Sequence, residues 1–196
     1  REHQEFMASV EAVARENGAV LSALPADVLA VLPAGDAYTP VWMALAGKRR
    51  VVTFGAAEQG ADVAEARADW RLNHWSALAH TAQGAIEFEL HAAGRHNVRN
   101  ALAAAACALS AGVPASVVGQ GLSGFRPVKG RSRTLVLKHR GRAITLIDDT
   151  YNANPDSVRA LIDVLAELPG PRLLVLGDMG EVGDQGPQFH AEAGAH

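Results

Sequence analysis

Residues 144–157 read Ile-Thr-Leu-Ile-Asp-Asp-Thr-Tyr-Asn-Ala-Asn-Pro-Asp-Ser, and most of the side chains able to do chemistry are gathered there. Ile144, Leu146 and Ile147 are β-branched or bulky apolar residues of the kind that build a buried strand. Asn154 then suits an N-cap, Pro155 the first helical position, and Asp156 the first turn, where its charge complements the helix dipole. Capping accounts for 154–156 alone. Asp148, Asp149, Thr150, Tyr151 and Asn152 are surplus to it, and they fall at the carboxyl end of a strand, where open α/β sheets bind ligands. Two carboxylates that accept hydrogen bonds, an aromatic face and an amide that both donates and accepts are groups for holding a polar ligand.

Two further runs stand in order around this one. Residues 94–104 read Gly-Arg-His-Asn-Val-Arg-Asn-Ala-Leu-Ala-Ala, and residues 176–183 read Leu-Gly-Asp-Met-Gly-Glu-Val-Gly. The second has the spacing Gly-x-x-Gly-x-x-Gly, which differs from the dinucleotide fingerprint Gly-x-Gly-x-x-Gly. Together the three runs closely resemble the Mur ligases, ATP-dependent enzymes of peptidoglycan precursor synthesis. The branch they resemble joins D-alanyl-D-alanine to the UDP-N-acetylmuramoyl tripeptide through an acyl phosphate. The resemblance implies ATP and Mg²⁺ as cofactors, a cytoplasmic location and a full-length enzyme that is a monomer.

It also implies roles for particular residues. His96, Asn97 and Asn100 match the segment that meets the adenine, with Asn97 the favoured contact to the base, although an asparagine here can instead cap the Ala-rich helix that follows. Arg131, in Lys129-Gly130-Arg131-Ser132-Arg133, matches an arginine that reaches the ATP γ-phosphate; a planar fork of donors suits a phosphoryl group better than an ammonium does. Asp149 and Tyr151 match positions that meet the ribose and adenine, Asn152 and Asn154 lie beside them, and Asp148 finishes the strand. His3, in Arg1-Glu2-His3, matches a histidine that helps hold Mg²⁺. One departure stands out. Many Mur ligases carry a carbamylated lysine in the following helix, and Asn17 occupies that place here. The loop 176–183 corresponds to a strand-end loop near the acceptor dipeptide.

These residues need a scaffold, and the rest of the sequence predicts an α/β one. A helix is expected over 9–17 with Gly18 as its stop, strands over 28–32 and 51–54, and a helix over 38–46 between them. Residues 62–70 read as an exposed loop or helix. Residues 86–91 alternate apolar and polar, as a half-exposed strand does; 94–100 reads as a loop and 102–111 as a helix. A short helix follows over 114–121, and Gly124, Pro127 and Gly130 mark a joint. Beyond it a hairpin is expected around His139-Arg140-Gly141-Arg142, then a helix over 155–168 and a buried strand over 172–176, giving a β-α-β unit. The fold expected is the latter part of a Mur ligase central ATPase domain, 1–130, followed by the start of a Rossmann-like C-terminal domain, 131–196.

Composition narrows the classes. With 196 residues, 48% of them hydrophobic, the chain can bury a core, and a net charge of −3 with few aromatic residues gives no basic, stacking surface for nucleic acid. Cys107 is the only cysteine, so it forms neither an internal disulfide nor a cysteine metal site, which suits a reducing cytoplasm. No run is apolar enough for membrane insertion. No Gly-x-x-x-x-Gly-Lys-Ser/Thr phosphate loop is present, and the chain opens on Arg1, so the sequence reads as an internal fragment that would not turn over alone. Two alternatives remain open at this point: another Mur ligase or a folylpolyglutamate synthetase, and a non-catalytic nucleotide-binding module.

Overall fold

Ser9 opens the first helix, α1 (Val10–Ala23), by accepting the Ala12 N–H on its hydroxyl at 3.1 Å. The structure is a computed structural model and describes residues 9–180 and 182–196. Gly18 does not stop α1. It is buried in the helix interior, and a β-carbon there would lie 2.6 Å from Leu45 Cδ1 and 2.9 Å from Trp42 Cδ1. The glycine therefore lets α1 close on α2 (Thr39–Ala46), and Trp42 Nε1 seals the contact by donating to the Ala14 carbonyl at 2.7 Å.

Strand β1 (Ala30–Pro33) pairs in parallel with β2 (Val51–Ala56), and α2 lies between them in sequence. Leu21, Ala30, Leu32 and Ala46 form a buried cluster against which Trp42, Leu45 and Val51 pack. Arg49 ties the end of α1 to the same layer by donating to the carbonyls of Leu24, Pro25 and Ala46.

Residues 62–70 are not the loop or helix expected. They form β3 (Val63–Trp70), which continues the parallel pairing from β2 with Val63 opposite Phe54. Its buried residues, Val63 and Ala68, are five apart, so strict alternation fails and the strand period is hidden in the sequence. Strands β4 (Trp75–Thr81) and β5 (Gly84–Leu90) complete a five-stranded sheet in the order β1-β2-β3-β4-β5. The two-residue link between β4 and β5 makes them an antiparallel hairpin. In β5 the alternation is as expected, with Ile86, Phe88 and Leu90 buried.

Helix α3 (Arg95–Ser110) starts one residue after Gly94, so 94–100 is not a loop but a glycine followed by the first helical turns. Gly94 has φ +91°, a backbone conformation that lets the chain enter the helix without a longer connection. The next helix, α4 (Ala115–Gly124), runs past Gly121 and lies against the edge strand β5. Ser123 Oγ accepts the Glu89 N–H at 3.1 Å, which occupies an outward donor of that edge. A β-carbon on Gly119 would meet the Glu87 carbonyl oxygen at 2.9 Å, whereas one on Gly121 would meet nothing within 4 Å. The same substitution is therefore expected to act with opposite signs two residues apart. Gly121→Ala should stabilise by up to about 1 kcal/mol through helix propensity. Gly119→Ala should destabilise by about 1 kcal/mol or more, because forcing α4 off the strand outweighs that gain. Urea unfolding of the two variants checks this, and equal effects would contradict the packing described.

By its contacts the chain divides into two units. The first holds Arg1–Asp69, Ser76–Leu90 and Val98–Gly124; the second holds Trp70–Trp75, His91–Asn97 and Phe125–His196. In the second, β6 (Arg133–His139) and β7 (Arg142–Asp148) form the antiparallel hairpin expected. Its tip residues Arg140 and Gly141 have φ +48° and +77°, the pair of left-handed residues that a two-residue type I′ turn demands. The Thr134 and Thr145 hydroxyls donate to the carbonyls of Asn73 and Leu72 at 2.7 and 2.9 Å, which docks one face of the hairpin on the 70–75 segment. Helix α5 (Pro155–Glu167) begins as the sequence predicts: Asn154 Oδ1 accepts the Ser157 N–H at 2.8 Å, and Ser157 Oγ accepts the Asn154 N–H at 3.0 Å.

The strand expected over 172–176 is absent. Leu173 and Val175 are 83% and 85% exposed, and only Leu176 joins the cluster formed by Val158, Met179 and Ala193 with α6 (Gly186–Ala195). An apolar run becomes a strand only by pairing, and among the described residues no strand pairs with it. No described helix is long and apolar enough to cross a membrane.

Candidate functional site

The surplus residues of the 144–157 run meet the Lys129-to-Arg133 segment at the base of the hairpin. Asp148 ends β7 opposite Arg133, and its Oδ2 reaches across to accept the Gly130 N–H at 3.1 Å. Its Oδ1 accepts the Thr150 hydroxyl at 2.7 Å. The Gly130 carbonyl in turn accepts the Tyr151 N–H at 3.0 Å. Only glycine fits: φ is +82°, and a β-carbon would lie 2.9 Å from the Tyr151 backbone nitrogen. Asp149 Oδ1 accepts both the Ser132 N–H at 2.7 Å and the Ser132 hydroxyl at 3.2 Å. Ser132 is held at φ +50°, a region that non-glycine residues seldom occupy.

Arg131 stands between these two anchored residues. Its guanidinium carbon lies 3.9 Å from the centre of the Tyr151 ring, and the tyrosine is 66% exposed. The cation and the exposed aromatic face stand together, next to the Ser132 that Asp149 holds, a combination able to take a base, a sugar hydroxyl and a phosphate. The Thr150 hydroxyl, opposed by burial and helped by the Gly130 and Thr150 N–H groups and by Lys129, holds the Asp148 carboxyl below its ordinary value of 3.8. The stabilisation that this carboxylate contributes is present above pH 3.8 and is lost as pH falls through the lowered pKa.

His96 and Asn97 approach the same segment along the backbone. Ala93 donates its N–H to the Ser132 carbonyl at 2.9 Å, and Ala92 bridges to Arg133. Asn97, in the first turn of α3, sends its Nδ2 back to the Ala93 carbonyl at 2.6 Å and toward His96 Nε2 at 3.2 Å. Part of its amide is thus spent on fixing its own turn. Asn100 lies one turn further along α3, exposed, and Asn152 is exposed beside Tyr151. His3 lies outside the described residues. Ser132 was not singled out in the sequence, and Thr150 stood there only as one member of the surplus run. Thr150 stands two residues after Asp148, a spacing visible in the sequence, whereas only the hairpin register brings Ser132 to Asp149.

The 176–183 loop is used differently. Met179 is buried with Val158 and Ala193, and Asp178 Oδ1 accepts the Met179 N–H at 2.9 Å. His190 on α6 bridges to the loop: Nδ1 lies 2.9 Å from the Gly186 carbonyl, and Nε2 lies 3.4 Å from the Gly177 carbonyl and 3.7 Å from Asp178. The Gly186 carbonyl first, then those of Gly177 and the Asp178 carboxylate, raise the His190 pKa above 6.5 against an opposing burial effect. A raised pKa means that protonation favours this docking: the contribution is full below pH 6.5 and is lost as pH rises through the folded value. The His190 ring protons are expected to titrate with a midpoint above 6.5 by NMR, and a midpoint at or below 6.5 would contradict the bridge.

Residues 1–108 match the Mur ligase middle domain, and residues 132–196 match the Mur ligase glutamate ligase domain. The chain belongs to the Mur ligase family. It is 33% identical over 192 residues to the UDP-N-acetylmuramoyl-tripeptide–D-alanyl-D-alanine ligase of Escherichia coli strain K12, a match covering 98% of this chain and 42% of that protein. MurF of Acinetobacter baumannii superposes with a TM-score of 0.79 at 32% identity, covering 95% of this chain and 40% of that one. MurF of Thermotoga maritima in complex with ADP shares the fold, with a TM-score of 0.77 at 22% identity, covering 99% of this chain and 43% of that one. The chain thus spans about two-fifths of the length of these Mur ligases. The α/β architecture is that of the Mur ligase middle and C-terminal domains, as expected.

Proposed function

We propose that this chain is the part of a MurF-type ligase that joins its central ATPase domain, 1–130, to its C-terminal domain, 131–196. The full-length protein uses ATP to link D-alanyl-D-alanine to the UDP-N-acetylmuramoyl tripeptide. A carboxylate oxygen of the tripeptide attacks the γ-phosphorus of ATP, and ADP leaves. The dipeptide amine then attacks the acyl carbon, and phosphate departs with that oxygen. Positioning and charge neutralisation supply most of the acceleration in such a reaction. In this reading Arg131 meets the γ-phosphate, Tyr151 and Asn97 the adenine, and Asp149 the ribose through its Oδ2. His96, Asn100 and Asn152 line the nucleotide. The reaction belongs to the cytoplasm, and the enzyme acts as a monomer.

The observation that carries the reading is the Arg131 guanidinium lying 3.9 Å from the Tyr151 ring beside Asp149, in a chain 33% identical to the Escherichia coli ligase over 192 residues. Mg²⁺ is implied by the family. His3, outside the described residues, is its proposed contact, and when bound the ion would neutralise phosphate charge; among the described residues no three His, Cys, Asp or Glu side chains group where a metal ion could sit. The test is ADP release by the full-length protein with ATP and UDP-muramoyl tripeptide, with and without D-alanyl-D-alanine. Dipeptide-dependent release with formation of the UDP-muramoyl pentapeptide supports the proposal. Release that needs a different acceptor would move the assignment to a sibling ligase.

A further inference from the structure

Contact with a nucleotide leaves one of the two adjacent carboxylates without a task. Asp149 keeps Oδ2 without a protein partner among the described residues, since both of its bonds from Ser132 go to Oδ1. Asp148 is different. Oδ2 accepts the Gly130 N–H at 3.1 Å and Oδ1 the Thr150 hydroxyl at 2.7 Å, so both oxygens are engaged inside the protein. What it holds is the residue before Arg131. Gly130 is bound at its N–H by Asp148 and at its carbonyl by the Tyr151 N–H, 3.0 Å away. Ser132, on the other side of Arg131, is bound twice by Asp149. The Arg131 N–H itself donates to the Val128 carbonyl at 3.2 Å. The arginine therefore projects from a backbone fixed on both sides, toward a ring whose own N–H is part of the same clamp.

We propose that Asp148 is a positioning residue that aims Arg131 through Gly130 and steadies Tyr151 through Thr150; this rests on the ligase reading above. Asp148 does not touch the nucleotide. Its effect on kcat passes through the turn, so in that quantity removing it matters only while Arg131 is there to be aimed. This separates it from a residue that supports the fold in general and from one that meets the ligand.

The experiment is a double-mutant cycle in the full-length protein, with kcat for ADP formation as readout. Asp148→Ala is expected to lower kcat by about 30- to 100-fold, the scale of a misplacement near 1 Å. In an Arg131→Ala background the same change should cost less than about 3-fold, because coupled residues are not additive. Asp148→Asn should stay within about 3-fold of the parent, since its amide oxygen still accepts the Gly130 N–H and its NH₂ donates to Thr150 Oγ. Equal losses in both backgrounds would overturn the proposal, as would an Asn variant as damaged as the Ala one, because the charge would then be acting on the ligand. Should the Ala variant not fold, Thr150→Val takes its place, expected to lower kcat about 3- to 10-fold only when Arg131 is present.

A second readout needs no substrate. Arg131 δ-protons over the Tyr151 face are expected upfield in the NMR spectrum, and Asp148→Ala should move them back toward random-coil values. An unchanged shift refutes the clamp even if the protein proves to use other substrates. A full-length protein that makes no ADP with the muramoyl tripeptide would remove the ligase reading, and with it the aim at a phosphate.

Discussion

Arg131→Ala in the full-length protein is expected to lower kcat/KM for ADP formation by about 10³-fold, the loss typical of removing a cation that meets a phosphoryl group as charge develops. The reason lies in geometry as well as charge. A guanidinium presents a planar fork that can meet two phosphoryl oxygens at once, and here it stands between two backbone anchors, Gly130 and Ser132. Arg131→Lys keeps the charge and loses the fork, so it should recover only part of the activity. The tripeptide should still bind, which makes the loss fall mainly on kcat. Steady-state kinetics with a coupled ADP assay reads this directly, and undiminished ADP formation in the Ala variant would take Arg131 out of the reaction.

Gly130→Ala is the second large expected effect. Two independent penalties coincide at this position. The residue sits at φ +82°, where a β-carbon costs about 1–2 kcal/mol, and that carbon would lie 2.9 Å from the backbone nitrogen of Tyr151. The neighbour is main chain, so it cannot rotate away, and the segment bearing Arg131 must shift against the one bearing Tyr151. A drop in kcat/KM of about 10²-fold is expected, with a lower melting temperature. Gly141→Ala makes a useful control: it shares a positive φ, at +77°, but a β-carbon there meets nothing within 4 Å. It should lower stability while leaving turnover nearly intact, and similar turnover losses in the two variants would contradict a specific role for the Gly130 contact.

The candidate residues were easier to pick out of the sequence than the groups that hold them. Residues 148–154 stand out because capping explains only Asn154-Pro155-Asp156 and gives the adjacent carboxylates and the ring no part in it; the structure then binds both carboxylates to the 130–132 turn. The cap itself appears as read, with Asn154 and Ser157 exchanging hydrogen bonds. The partner of those carboxylates was hidden, since the pairing of Asp148 with Arg133 depends on hairpin register, set by the Arg140-Gly141 turn far along the strand. Asn97 illustrates a different limit of one-dimensional reading: its amide is engaged with its own turn through the Ala93 carbonyl, and the base contact proposed for it must share that group.

The fold expectations failed where tertiary packing decides. Gly18 looks like a helix stop because glycine often is one, yet it is the thinning that lets α1 meet Trp42 and Leu45. Val63 and Ala68 hide a strand by breaking its alternation, and Leu173 to Leu176 suggest a strand by composition although no described strand pairs with them. Local pattern reports what a segment is suited to; pairing decides what it becomes.

An acyl phosphate on the path to the proposed ligase product leaves a trace in one oxygen. The full-length protein is given ATP, D-alanyl-D-alanine and UDP-muramoyl tripeptide labelled with ¹⁸O at both oxygens of its terminal carboxylate, and the inorganic phosphate released is analysed by mass spectrometry. One ¹⁸O is expected in each phosphate formed together with the UDP-muramoyl pentapeptide. Phosphate free of label, released while the pentapeptide accumulates, would contradict it.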